Sequence, residues 1–210
     1  KRNKDARRRK LLCRSYSVTP LSERAGVIQW VEGVTPIYQV YKSWHYNNQV
    51  ASSSIGSSNL PGANTGPTLF RPSEVYFSKM KKALADCGVR STANRTTWPL
   101  AAKRRVLAEL VSETPTNLLS RELWCSSETM KSWYNKQRNY VGSLAAMSMI
   151  GYVLGLGDRH LDNILMDFAT GEVLHIDYNV SFDKGLSLKV PEVVPFRMTN
   201  IMKTALGICG

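Results

Sequence analysis

The chain has 210 residues, of which 43% are apolar, which suits one domain or a piece of a larger one. Its four cysteines lie far apart, with no CxxC pair or Cys/His cluster, so no zinc site is indicated and we expect reduced thiols in an intracellular protein. The N-terminus has no signal-like apolar segment, and the longest apolar run, 141–156, is too short and too interrupted to span a membrane.

The net charge of +12 is concentrated at the N-terminus, where residues 1–14 contain eight Lys or Arg and a single acid. Such a segment is either a solvated basic stretch or an electrostatic contact for nucleic acid or an acidic partner. It contains no aromatic side chains that could stack on RNA bases. We therefore expect any contact with nucleic acid to be at most indirect.

The first predicted element is a hairpin. Residues 12–19 alternate in a strand pattern, turn residues follow, and residues 27–31 have the composition of a second strand. A helix is predicted over 35–46, with Pro36 near its first turn. Residues 47–67 are rich in Ser, Asn and Gly, and we interpret them as a flexible insertion.

Two helices are predicted after the insertion. The first covers 73–88, where Gly88 fits the C-cap position, and the second covers 98–111, capped by Thr97.

The longest predicted helix follows these, from just after Ser127 to about Leu154, and is ended by Gly155. Its last part is apolar all round, which is typical of a buried central helix. Two short strands, 164–168 and 172–177, follow and are joined by a turn.

Polar residues of a particular spacing interrupt the apolar sequence that follows the long helix. Asp158 precedes Asn163 by five residues, and Asp177 lies fourteen residues further on, after a strand, a turn and a strand. Protein kinases space a catalytic aspartate and a metal-binding asparagine in the same way, with a second metal-binding aspartate after the next strand. One carboxylate can orient the attacking hydroxyl and accept its proton, while hard oxygen ligands hold Mg²⁺ against the phosphates of ATP. The spacing therefore predicts phosphoryl transfer.

Longer segments strengthen this interpretation. GLGDRHLDNIL (155–165) and HIDYN (175–179) resemble the catalytic and metal loops of the phosphatidylinositol-3-kinase-related protein kinases, and 6–33 and 194–199 agree with that family. Within the family, YSVTPL, IQWVEG and RPSEVYFSK are most similar to the SMG type, which acts in nonsense-mediated mRNA decay. That type shares Tyr-Asn where most members have Phe-Gly after the metal-binding aspartate.

The resemblance implies an α+β, protein-kinase-like fold of the PI3/PI4-kinase type. Residues 1–32 would end the small lobe and form the hinge, and residues 33–210 would belong to a mostly helical large lobe. No glycine-rich phosphate loop and no strand lysine can be identified in the sequence. We therefore expect a fragment of a larger chain that is inactive by itself, since positioning and electrostatics supply most of phosphoryl-transfer catalysis.

The resemblance also implies roles for individual residues. Asp158 corresponds to the catalytic aspartate, and His160 to the histidine that contacts the reacting phosphate. Asn163 and Asp177 correspond to the ligands of Mg²⁺, or of Mn²⁺ in its place.

The implied ATP pocket uses four further residues. Trp30 corresponds to the hinge aromatic that packs on adenine, and the backbone of Val31 to its hydrogen-bond partner. Leu165 and Ile176 would form the apolar floor and back of the pocket. For Trp30 and for His160, a place in the core is the alternative interpretation.

Other polar residues near the motif are interpreted as structural. We expect Arg159 to be structural rather than catalytic, and His175 to pack and form hydrogen bonds within the loop. Asp162 and Asp167 are expected to be exposed acids or turn caps.

The predicted function is that of an ATP-dependent serine/threonine protein kinase. Phosphoinositide kinases share the D-R-H-x-x-N and H-I-D motifs, but their activation loops tend to carry clustered basic residues. Here Lys184 and Lys189 are balanced by Asp183 and Glu192, which favours a protein substrate. A non-catalytic RNA-associated scaffold is supported only by the basic N-terminus.

The resemblance finally implies substrates and partners. The expected phosphorylation site is Ser or Thr followed by Gln, and the expected substrate is the RNA helicase of nonsense-mediated decay. The family's regulatory subunits are the expected partners, and no contact with a membrane is expected. The expected location is the cytoplasm, with the nucleus as a second site.

Overall fold

The computed structural model describes residues 11, 13–56, 71–89, 95–188 and 191–207. The chain divides into two compact units, one formed by Lys1–Val40 with Thr116–Gly210 and the other by Tyr41–Pro115. The proposed division into a small-lobe end (1–32) and a large lobe (33–210) stays a prediction.

The first element is the predicted hairpin, in which β1 (Val18–Ser22) pairs antiparallel with β2 (Ala25–Ile28). The strand expected over 12–19 is wrong for its first part, because β1 begins only at Val18. The side chains before it turn to other partners: the Cys13 thiol lies 3.3 Å from the sulfur of Met147, and Arg14 pairs with Asp167. Such contacts depend on tertiary structure, which the alternation of residues in the sequence does not show.

A second, three-stranded sheet consists of β3 (Val34–Pro36), β4 (Ile164–Asp167) and β5 (Val173–His175) in that order, all antiparallel. The two predicted C-terminal strands are thus confirmed, and every residue of β4 and β5 is buried. Pro36, expected in a helix, ends the edge strand β3, where its missing N–H is tolerated.

Helix α1 (Ile37–Gly56) extends well beyond the predicted end at residue 46. Within the extension the Ser52 hydroxyl donates to the carbonyl of Asn48 (2.8 Å). Once a helix is nucleated, each added residue contributes a further backbone hydrogen bond, so a polar continuation can stay helical. The interpretation as a flexible insertion is therefore wrong for 47–56, and the rest of that stretch, 57–67, lies outside the described residues.

The second unit contains α2 (Pro72–Asp86), a 3-10 turn at Arg95–Thr97 and α3 (Leu100–Glu113). Gly88 follows the C-cap of α2 with φ +74°, as predicted. Thr97 is not the cap of α3: it belongs to the 3-10 turn, and Pro99 occupies the N-cap position. A proline disfavours helical geometry in the residue before it, so the helix begins only after Pro99.

The core of this unit is formed between α2 and α3. Its buried side chains are Met80, Ala83, Leu84, Trp98, Ala102 and Val106.

The remaining helices belong to the first unit and are α4 (Leu118–Cys125), α5 (Met130–Val153) and α6 (Asn200–Leu206). Helix α5 lies close to the predicted bounds and begins at a Thr129 cap, whose side chain accepts from the N–H of Ser132 (3.1 Å). It packs against α4, α6 and β5. The Tyr140 hydroxyl donates to the carbonyl of Met202 (2.9 Å), and Ser143 accepts from the N–H of Val173 (2.9 Å).

The end of α5 is not buried all round as predicted. Gly151 is buried, but Met149 and Tyr152 are exposed and Val153 is 78% exposed. The helix packs with one side only, and composition cannot show which apolar residues lie on the other. No helix within the described ranges is both long and apolar enough to cross a membrane.

Candidate active site

Two glycines shape the loop that leaves α5. Gly155 has φ +55°, and a Cβ placed on it would lie 2.6 Å from Oδ1 of Asp183. A Cβ on Gly157 would lie 2.9 Å from Oε2 of Glu192, and the Gly157 N–H donates to the carbonyl of Val180 (2.8 Å). Only residues without a side chain let Val180, Asp183 and Glu192 lie this close to the loop.

Asp158 follows these glycines and has the left-handed φ of +56°. Its N–H donates to Oε2 of Glu192 (2.6 Å), and its carbonyl accepts from Nδ2 of Asn163 (2.9 Å). The side chain itself is partly exposed. The backbone of Asp158 is thus held from both sides, while its carboxylate stays accessible to a substrate.

Asn163 joins this loop to the end of β5. It is 6% exposed, and its carbonyl accepts from the N–H of Ile176 (3.1 Å). Because Nδ2 is committed to Asp158, the amide oxygen is the side-chain atom that remains for a cation.

Asp177 comes directly after that contact, with an exposed side chain and φ +57°. Its Oδ1 accepts from the N–H of Asn179 (3.2 Å).

The donor set of Asn163 and Asp177 fits a hard divalent cation such as Mg²⁺, which prefers oxygen ligands and keeps water and phosphate in its remaining positions. Across the part of the chain that the structure describes, no three His, Cys, Asp or Glu side chains gather as a self-sufficient metal centre. A cation held here would therefore be shared with a bound phosphate.

His160 is half-exposed and lies between two acids. Its Nε2 is 3.9 Å from Oδ2 of Asp158, and its Nδ1 is 3.8 Å from Oδ2 of Asp162. Both distances exceed those of hydrogen bonds, so the ring is not locked by either carboxylate. His160 is thus a surface residue beside Asp158, and the alternative of a core histidine does not hold. Asp162 is exposed, as expected.

Arg159 links the loop that contains Asp158 to the residues that follow β5. It is 5% exposed and donates three hydrogen bonds to carbonyls, from Nε to Gly157 (2.8 Å), from one terminal nitrogen to Ile176 (2.6 Å) and from the other to Asp177. Burial lowers the pKa of its guanidinium, and the nearby Tyr178 and acidic groups oppose that effect. These contacts agree with the structural role expected for Arg159.

His175 is packed as expected, but the expected hydrogen bonds are absent. Among the described residues neither ring nitrogen has a hydrogen-bond partner, although the side chain is buried. Ile164 is the residue opposite His175 on β4. Burial, reinforced by Arg159, lowers the pKa of His175 to about 4.

Asp167 combines a predicted and an unpredicted contact. Its Oδ1 caps the β4–β5 turn by accepting from the N–H groups of Ala169 (2.8 Å) and Thr170 (3.2 Å). Its Oδ2 pairs with Arg14, which also donates to the carbonyl of Glu32 (3.3 Å). The side chain is buried rather than exposed, and it ties the segment before the hairpin to the sheet.

A cleft of about 690 Å³ opens between the hairpin and the sheet. Its lining includes Trp30, Val31, Leu165 and Ile176, the four predicted pocket residues, together with Asp177. Trp30 is 85% exposed, so its ring is available to a ligand and is not part of the core. The volume lies within the usual range for small-molecule sites.

Sequence reasoning missed Glu192 and Arg197. Glu192 was counted only as a charge, although it contacts the backbone of Asp158, and Nε of Arg197 donates to the carbonyl of Arg159 (2.9 Å). Both contacts join segments more than thirty residues apart in the chain, so no local spacing signals them.

Comparisons with known proteins place the chain in a family. A profile of the family described as phosphatidylinositol 3- and 4-kinase matches residues 1–209. Serine/threonine-protein kinase SMG1 of Danio rerio is 51% identical over 197 residues, covering 94% of this chain and 5% of that relative. Serine/threonine-protein kinase Smg1 of Drosophila melanogaster is 43% identical over 198 residues, covering 93% and 6%.

Among solved structures, the one described as the complete CtTel1 dimer with C2 symmetry matches with a TM-score of 0.65 and 31% identity. It covers 99% of this chain and 7% of that chain. The chain thus spans only a small part of the length of the relatives it matches.

Proposed function

The chain belongs to the phosphatidylinositol 3- and 4-kinase family, and from that premise we propose that the protein containing it is an ATP-dependent serine/threonine protein kinase. The observation that carries the proposal is the meeting of Asp158, Asn163 and Asp177 on two joined loops beside a ligand-sized cleft. Relatives named serine/threonine-protein kinases, at 51% and 43% identity, support a protein substrate over a lipid.

We assign the reacting groups as follows. Asp158 orients the substrate hydroxyl and accepts its proton, for which its partly exposed carboxylate is suited. His160, half-exposed beside it, contacts the transferring phosphate. Asn163 and Asp177 would hold Mg²⁺, or Mn²⁺ in its place, and the cation when bound would neutralise charge on the phosphates.

The nucleotide base would occupy the apolar part of the cleft. Trp30 offers a free ring face to adenine, the backbone of Val31 a hydrogen bond, and Leu165 and Ile176 an apolar surface. The phosphates would then extend towards Asp177, which lines the same cleft.

The finer proposal concerns the substrate. The segments similar to the SMG type support Ser or Thr followed by Gln as the target, the RNA helicase of nonsense-mediated decay as the natural substrate, and the family's regulatory subunits as partners. Asp183 and Glu192 balance Lys184 in the segment after Asp177, which supports a peptide rather than an anionic head group; Lys189 lies outside the described residues.

The test uses the full-length protein with labelled ATP and three acceptors: a Ser-Gln peptide, the matched Ser-Ala peptide and phosphatidylinositol vesicles. We expect transfer to the Ser-Gln peptide, much less to Ser-Ala and none to lipid. Equal rates on the two peptides would remove the Gln preference. Transfer to lipid alone would favour the lipid kinase, and transfer to no acceptor the scaffold.

A further inference from the structure

Glu192 contacts the backbone of Asp158 from a segment that is distant in the chain. Its Oε2 accepts from the N–H of Asp158 at 2.6 Å, and its own N–H donates to the carbonyl of Gly185 (3.1 Å). A Cβ on Gly157 would lie 2.9 Å from Oε2, and one on Gly185 would lie 3.3 Å from it. The carboxylate thus rests on two glycines and points at one backbone amide.

That amide belongs to a residue in an unfavourable conformation. Asp158 has φ +56°, a sparsely populated left-handed geometry that Asp adopts more readily than most residues with a side chain. Two hydrogen bonds fix the Asp158 backbone here, one from Asn163 to its carbonyl and one from its N–H to Glu192. The second is charge-assisted and short, and such bonds are the stronger kind.

The two bonds have different origins in the chain. Asn163 belongs to the same loop as Asp158, whereas Glu192 is thirty-four residues away, in the segment that follows Asp177. Arg197 of the same segment donates to the carbonyl of Arg159 (2.9 Å). The geometry around Asp158 therefore depends on the place of a distant segment as well as on its own loop.

We propose that Glu192 is a positioning residue for phosphoryl transfer: by accepting from the N–H of Asp158 it holds that carboxylate in its reactive orientation. The segment that carries Glu192 must then be in place before transfer can occur. This inference rests on the proposed function, because it assumes that Asp158 acts on the substrate hydroxyl. Glu192 acts through Asp158 and does not touch the reacting atoms.

The experiment compares four variants of the full-length protein, Glu192→Ala, Glu192→Gln, Asp158→Asn and the control Glu172→Ala, in a peptide phosphorylation assay. In Glu192→Ala we expect kcat to fall roughly 10²-fold, because small displacements of a catalytic group have effects of that size, while KM for ATP and the melting temperature change little. Glu192→Gln keeps an acceptor oxygen for the same N–H and should recover most of the lost kcat. The control is Glu172→Ala, whose carboxylate contacts the Thr170 hydroxyl (3.2 Å) at the β4–β5 turn.

Two results would overturn the inference. One is a Glu192→Ala protein with wild-type kcat while Asp158→Asn is inactive, which leaves the proposed function standing. The other is a parallel loss of ATP binding and kcat in both Glu192 variants, which would make the residue structural. A wild-type protein without transfer to any acceptor would instead refute the proposed function itself.

Discussion

At the scale of single residues, a substitution of Asp177 can distinguish a loss of metal binding from a loss of nucleotide binding. Its carboxylate lines the cleft and accepts a hydrogen bond from the N–H of Asn179 (3.2 Å). We expect Asp177→Ala to weaken nucleotide binding strongly when Mg²⁺ is present and little when it is absent, because the lost group is a hard-cation ligand.

Nucleotide titrations with and without Mg²⁺ check this, with Asp86→Ala as the control, since Asp86 is an exposed acid of the other unit that pairs with Arg105. If Asp177→Ala weakens binding equally under both conditions, Asp177 is structural.

His175 makes a second residue-scale prediction, about stability and pH. Its pKa is lowered to about 4 in the fold, whereas an unfolded chain has an ordinary histidine near 6.5. Between these values the unfolded state binds a proton that the folded state does not, so the free energy of unfolding falls as pH drops from about 6.5 to about 4, by up to ~3 kcal/mol.

Between pH 7 and pH 5 the melting temperature of His175→Leu should therefore fall less than that of the wild type. Between pH 7 and pH 8 the melting temperatures of the two proteins should change in parallel. Identical losses over the acid range would show that the buried imidazole is not the group responsible.

Residue-scale prediction from sequence succeeded where spacing carries information. Asp158, Asn163 and Asp177 come together because a loop, a strand and a turn of fixed length separate them, and this can be predicted. Glu192 could not be identified in this way, because its contact with Asp158 joins residues thirty-four apart, and the described residues from 177 to 199 form no strand or α-helix that would indicate it.

At the scale of elements, α1 is the clearest difference from expectation. Its second half is polar, and local composition alone favours a loop there. Ala51 lies in this half, so Ala51→Pro removes a backbone donor and should cost the helix about 3 kcal/mol, against about 1 kcal/mol for Ala51→Gly. Amide exchange over 47–56 measures both effects. Exchange at unstructured-peptide rates in the wild type would contradict the helix.

The other elements show which sequence patterns predict the bounds of helices and strands. Strands β4 and β5 and helices α2 and α5 were predicted near their observed bounds, because apolar runs or periodicity and terminal caps agree there. The start of β1 and the exposed side of α5 were predicted wrongly, since both depend on tertiary contacts such as those of Cys13 and Arg14.

At the scale of the whole molecule, the predicted kinase-type fold of mixed α and β structure is confirmed by the family match and the Tel1 structures. The hairpin and the sheet together form the walls of one cleft, and the motif loops lie at its edge. The chain covers 5% of the length of the Danio rerio relative.

We propose that Asp158 carries phosphoryl transfer in the full-length protein. The most direct measurement is single-turnover transfer from Mg-ATP to a Ser-Gln peptide by full-length wild type, Asp158→Asn and the matched surface control Asp86→Asn, with nucleotide binding measured in parallel. General-base help is worth roughly 10²–10⁴-fold, so Asp158→Asn should lose a factor in that range while it still binds nucleotide and Asp86→Asn behaves as wild type. Near-normal transfer by Asp158→Asn would show that Asp158 does not carry phosphoryl transfer.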